Sequence, residues 1–99
     1  MHIQIEPHTL QRAYERGTTE EEIKDTLITG VSIAAKNNRL AKAKVFTFNA
    51  ERNGKFYKEK KLEVYYTIEK ETIITITVYV FFGNFEKPLE DFNLTDLGA

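Results

Sequence analysis

Two spacings of apolar residues divide this chain. Up to Gly30 they recur at helical intervals, as Leu10, Ala13 and Tyr14 do and again Ile23, Thr26 and Leu27, each set giving a helix one buried stripe. Beyond Val31 they alternate with polar residues, the period of a strand with one covered face. The longest such run is residues 72–82, where Ile74, Ile76, Val78, Val80 and Phe82 form a face suited to receive the helices, and Thr75, Thr77, Tyr79 and Phe81 form the other. Residues 62–68 repeat the pattern with Leu62, Val64, Tyr66 and Ile68 on one side.

Punctuating residues set the limits of these elements. Residues 2–6 read as a short strand, with Ile3 and Ile5 pointing one way. Pro7 opens a first helix, where its missing N–H costs nothing, and Gly17 closes it. Thr19 with Glu22 three residues on predicts a capping box for a second helix that runs to Gly30. Residues 31–35 read as a strand or an extended link, and residues 36–43 as a polar, basic loop. Strands at 45–49 and 55–58 flank Glu51-Arg52-Asn53-Gly54, whose Asn-Gly pair is a strong hairpin signal, and residues 69–71 form the turn into the last strand. In residues 83–99, Leu89, Phe92, Leu94 and Leu97 are too apolar for a solvated tail and suit either a short packing helix or a segment crossing the basic hairpin. The pattern predicts an α+β fold, with two N-terminal helices on one face of a four- to five-stranded, mostly antiparallel twisted sheet. It forms a single domain over 1–99, with its core at about 3–82 and a C-terminal extension at 83–99.

With 99 residues and no cysteine, the chain has no disulfide, no thiolate nucleophile and no Cys-based zinc site. Two histidines six apart without clustered carboxylates fit no usual metal-ligand pattern, so neither metal nor cofactor is expected. No apolar run reaches membrane-spanning length and the N-terminus lacks signal-peptide character, which predicts a cytoplasmic protein with no membrane partner. The formal net charge of −1 conceals segregation: residues 1–30 carry −3, residues 31–61 carry +7, and residues 62–99 carry −5. In the basic middle block, Lys36, Arg39, Lys42 and Lys44, then Arg52, Lys55, Lys58, Lys60 and Lys61, bracket Phe46, Phe48, Phe56 and Tyr57, a mixture suited to backbone contact and base stacking on RNA. A solvated, lysine-rich edge that discourages aggregation is the competing account.

His8, Arg12 and Arg16 recur every four residues and fan over only about 80° of a helix surface. Imidazole takes and gives protons near neutrality, and guanidinium forks match phosphate oxygens, so this face suits an anionic ligand. Against that, the ring of His8 can simply hydrogen-bond a backbone carbonyl, and the arginines can pair with Glu15, Glu20 or Glu21.

Pro7-His8-x3-Arg12-x3-Arg16-Gly17, then Thr19-x2-Glu22-Ile23 and strands ending in Thr77-Val78-Tyr79, resembles an uncharacterised bacterial family with a His-x3-Arg-x3-Arg-Gly signature. That family is similar to the RelE and BrnT group of small toxins, whose two helices lie on an antiparallel sheet and whose relatives cleave RNA without metal. The resemblance spans residues 3–82; its N-terminal half is specific and its strand half generic. Thr18 stands where the family usually has Ile, and the near-neutral charge differs from the strongly basic ribosome-dependent toxins. The resemblance implies a RelE-like fold and a metal-independent endoribonuclease of toxin–antitoxin type. His8 would serve as general acid or base, Arg12 and Arg16 would hold phosphate, and Tyr79 and Thr77 are weaker nominees. Tyr79, Tyr65 or Tyr57 would supply the missing acid or a stacking surface. RNA and an antitoxin covering the His8 face or the basic hairpin are the implied partners. The alternatives are a non-catalytic RNA- or protein-binding module on the same scaffold and an adaptor that weakly self-associates through a strand edge.

Overall fold

The computed structural model describes residues 1–85; the apolar positions noted beyond them lie outside the described residues. Seven elements follow in order: β1 (His2–Gln4), α1 (Pro7–Arg16), α2 (Glu20–Thr29), β2 (Val31–Ile33), β3 (Leu40–Arg52), β4 (Lys55–Glu69) and β5 (Thr72–Gly83). The five strands form one mixed sheet in the order β1-β5-β4-β3-β2. β1 runs parallel to β5, pairing Ile3 with Ile73, and β2 runs antiparallel to β3, pairing Ser32 with Lys42. Among the described residues no helix is long and apolar enough to cross a membrane.

The helix termini follow their sequence signals. Pro7 occupies the first turn of α1, and Gly17 closes the helix in the left-handed region at φ 91°, its N–H bonded to Ala13 O. Thr19 caps α2 by accepting the Glu22 N–H at 3.1 Å. The Glu22 carboxylate accepts from the Thr18 hydroxyl at 2.9 Å, tying the helix junction together. Gly30 is not left-handed; its φ is −73°. A Cβ there would lie 2.4 Å from Thr26 O and 2.7 Å from Ala43 O, so glycine is required because helix and strand backbones approach closely at this point.

Three readings of the strands need correction. Residues 36–43 are not all loop, because β3 already begins at Leu40. Ala41 and Ala43 hide that strand from a sequence reading, since alanine favours strands weakly, yet both are buried. Residues 55–58 and 62–68 belong to one strand, β4. Its charged middle looks like a break, but Lys60 is 7% exposed with its ammonium 5.6 Å from the Phe48 ring centre. On β5 the covered face includes Thr75 and Val78, three residues apart, so the alternation changes phase between them. Thr75 is buried because its hydroxyl accepts the Glu6 N–H at 3.0 Å and donates to the Thr9 hydroxyl at 3.0 Å, fixing the start of α1 on the strand.

The turns use left-handed residues. Asn53 and Gly54 have φ 54° and 80°, the pair that a two-residue hairpin between β3 and β4 demands. Lys70 and Glu71 do the same between β4 and β5 at φ 48° and 66°, without a glycine.

The chain divides into two compact units, through both of which β3, β4 and β5 pass. The first, residues 1–44 and 62–80, holds both helices and an aliphatic core of Ile23, Leu27, Leu62, Val64 and Val78, each at most 2% exposed. The second comprises residues 45–61 and, among the described residues, 81–85. Its centre is aromatic: Phe82 meets Phe48 at 5.1 Å and Tyr57 at 5.6 Å between ring centres.

Candidate functional site

Pro7 starts α1 so that His8, Arg12 and Arg16 fall along one flank, as their spacing predicts, but different partners take them. The His8 ring lies with Nε2 2.8 Å from Ile76 O. Because a carbonyl only accepts, Nε2 carries the hydrogen and Nδ1 is the nitrogen left open. Arg16 donates from Nη1 to Val78 O at 2.6 Å. Arg12 is exposed and pairs with Glu15 at 3.2 Å. Ile76 and Val78 are two apart on β5, so their carbonyls point to the same edge of the strand. The register of β1 stops at Ile74, and two side chains of α1 continue along that edge where β1 leaves it.

In the first unit a hollow of about 300 Å³ opens beside β5. Tyr65, Thr77 and Tyr79 supply one side, and Lys36, Asn37 and Arg39 another, with Ala34 and Ala35 between. Tyr65 alternates with the buried Val64 and Tyr66, which places the hollow on the sheet face opposite the aliphatic core. The two tyrosine rings meet edge to face, 5.7 Å between centres and 87° between planes. The Arg16 guanidinium lies 4.9 Å from the Tyr79 ring centre, so the same arginine that reaches Val78 O also holds one wall of the hollow. Burial pushes the Tyr65 hydroxyl above its ordinary pKa, and its hydrogen bond to Glu63 at 3.1 Å pushes the same way. At neutral pH it therefore remains a neutral donor.

The turn that carries the cations is built by two asparagines. Asn37 and Asn38 both have φ 60°, and the Arg39 N–H closes the turn on Lys36 O at 3.2 Å. A four-residue turn of this kind brings its first and last Cα atoms within about 7 Å, so Lys36 and Arg39 stand side by side. Both are exposed, and no ion pair engages either among the described residues.

The remaining sequence nominees serve packing as well as charge. Lys42 donates to Leu27 O at 2.9 Å near the end of α2, where a cation also complements the helix dipole. Lys44 bonds Asp25 at 2.8 Å and the Thr29 hydroxyl at 2.7 Å, and its hydrogen bond is the main reason Asp25 titrates below its ordinary value. In the second unit Arg52 lies 4.9 Å from the Phe82 ring centre and Lys55 lies 5.6 Å from that of Tyr57. Thr77 and Tyr79 line the hollow; His8, Arg12 and Arg16 do not.

Asn37 was not among the residues the sequence nominated, and Lys36 and Arg39 stood there only as members of the basic block, with nothing joining the three. The signal that finds them is the Asn-Asn pair, since asparagine tolerates the left-handed region and marks a tight turn between two apolar runs. A scan against protein-family models and searches of curated proteins and of solved structures find no match to this chain.

Proposed function

We propose that the chain is an RNA-binding module that holds its ligand at the hollow of the first unit and does not cleave it. The observation that carries this reading is the meeting of an aromatic corner, Tyr65 and Tyr79, with a two-cation turn, Lys36 and Arg39, around one opening. Tyrosine faces stack on any base, and paired cations take the phosphate that follows it. Cleavage asks for more: a base, an acid and phosphate-holding cations around one phosphate. Here His8 and Arg16 reach separate carbonyls of β5, and Arg12 faces Glu15. Binding without cleavage is the function this arrangement serves better.

Fluorescence anisotropy with labelled single-stranded RNA tests the proposal. Tyr79→Ala is expected to weaken binding roughly 5- to 150-fold, the range for losing one stacked base. Affinity should also fall steeply between 50 and 200 mM salt, as phosphate contact requires. No binding at low salt, or binding indifferent to Tyr79→Ala, overturns the proposal. Metal-free cleavage abolished by His8→Ala replaces it with a nuclease.

A further inference from the structure

Resting on that reading, we infer that the hollow accepts one unpaired nucleotide, its base in the tyrosine corner and its phosphate between Lys36 and Arg39, so that the chain selects single-stranded RNA over duplex. Size sets the first limit. About 300 Å³ lies at the bottom of the range for small-ligand sites, room for one nucleotide and not for a stacked run.

The shape of the corner sets the second limit. With their planes 87° apart, Tyr65 and Tyr79 cannot both lie flat against a continuous stack of bases. The edge of one ring already meets the face of the other and Arg16 already lies over Tyr79, so the ring surface left is suited to one base and not to a run. Such a corner fits one planar group turned out of its stack. A duplex keeps its bases inside, and extruding one costs a few kcal/mol, whereas a single strand offers the base at little cost.

Polar groups in the hollow fit the rest of a ribonucleotide. Thr77 lies two residues before Tyr79 and also lines the opening; its hydroxyl both donates and accepts, as a ribose 2′-OH does. Asn37 adds an amide, with a donor and an acceptor for a base edge. The Arg39 N–H to Lys36 O bond holds the two backbones together, so both cations issue from one tight turn at the hollow.

The test uses the full chain, a labelled eight-nucleotide RNA, its blunt duplex, and AMP and adenosine as competitors. Single strand is expected to bind at least tenfold tighter than duplex. AMP should compete at least several-fold better than adenosine, which lacks the phosphate. The double variant Lys36→Gln/Arg39→Gln should erase the preference for AMP and reduce the salt slope of RNA binding by about 0.7, one phosphate's worth on a single strand. Both substitutions sit on an exposed turn, and a circular dichroism melt confirms that the fold is retained. Equal affinity for duplex and single strand, or equal competition by AMP and adenosine, overturns the inference even if Tyr79→Ala still weakens RNA binding. Failure of every RNA while AMP binds at the tyrosine corner removes the RNA reading and leaves the nucleotide site standing.

Discussion

Cations brace each of the two units, and the directed bonds described in the first can be weighed against the ring contacts described in the second. In the first unit they donate along defined directions to oxygen: Arg16 to Val78 O, Lys42 to Leu27 O and Lys44 to Asp25. In the second, Arg52, Lys60 and Lys61 lie beside Phe82, Phe48 and Phe81 among their other contacts, at 4.9 to 5.6 Å from the ring centres. A hydrogen bond from a charged donor fixes distance and angle and is worth about 1.5–3 kcal/mol. A cation over an exposed ring tolerates sliding and is worth about 0.5–1 kcal/mol. The bonds of Arg16, Lys42 and Lys44 therefore fix distances and angles in the unit that carries the hollow.

The strongest way to break that contrast is a single methyl group placed in each unit. Gly30→Ala drives a Cβ to 2.4 Å from Thr26 O and 2.7 Å from Ala43 O, and both neighbours are backbone that cannot step aside. The expected loss is about 3 kcal/mol or more, read as the unfolding free energy in urea. Gly54→Ala meets nothing within 4 Å and suffers only from its φ of 80°, an expected loss of about 1–2 kcal/mol. Equal losses would mean that the close approach of α2 to β3 is not a hard constraint.

These two glycines also show what a sequence can and cannot disclose. Local chemistry was legible: Pro7 and Gly17 bound α1, Thr19 caps α2, and Asn53-Gly54 turns β3 into β4. Gly30 was legible as a helix end but not for the right reason, because its constraint comes from Ala43, thirteen residues away and on another element. The burial of Thr75 escaped for the same cause, being decided by Thr9 and Glu6. The turn at residues 69–71 was legible as a break between two alternating runs, but Lys70 and Glu71 do not announce their left-handed backbone, which β1 supports through the His2 N–H to Glu71 O. The hollow is the extreme case. Asn37, Tyr65 and Tyr79 reach it from positions up to 42 apart, and nothing in their local spacing announces the meeting. His8 and Arg16 were conspicuous in the sequence, and what they touch along β5 is a property of the strand order.

A pair of arginine substitutions sharpens the comparison at smaller scale. Arg16→Met keeps most of the stem but leaves Val78 O without its donor and Tyr79 without its cation, an expected loss of about 1.5–3 kcal/mol. RNA affinity should fall with it, because Tyr79 loses one of the groups that hold it. Arg52→Met removes a cation from the half-buried face of Phe82 together with the other contact Arg52 makes, and the ring contact's share of the loss is expected to be about 0.5–2 kcal/mol. Urea unfolding of the two variants side by side decides the matter. If Arg52→Met costs as much as Arg16→Met, direction of bonding is not what separates the units.

The smallest expected effect is a dependence on pH confined to the first unit. Lys44 first, and the Thr29 hydroxyl second, hold the Asp25 carboxyl below its ordinary range, while burial pushes weakly the other way. A group whose pKa is depressed in the folded protein adds stability at any pH above its unfolded value, about 3.9 for aspartate. That stability fades as the pH falls through the lower, folded value, because the unfolded chain then binds the extra proton first. The pair is substantially exposed, so the effect is small and salt weakens it further. Asp25→Asn should therefore destabilise the chain at pH 6 and progressively less as the pH is lowered below about 4, with the gap also narrowing in high salt. The difference between wild type and Arg52→Met over the same pH series supplies the comparison from the second unit. A gap for Asp25→Asn that stays constant from pH 6 to pH 3 would show that Lys44 holds Asp25 by shape and not by charge.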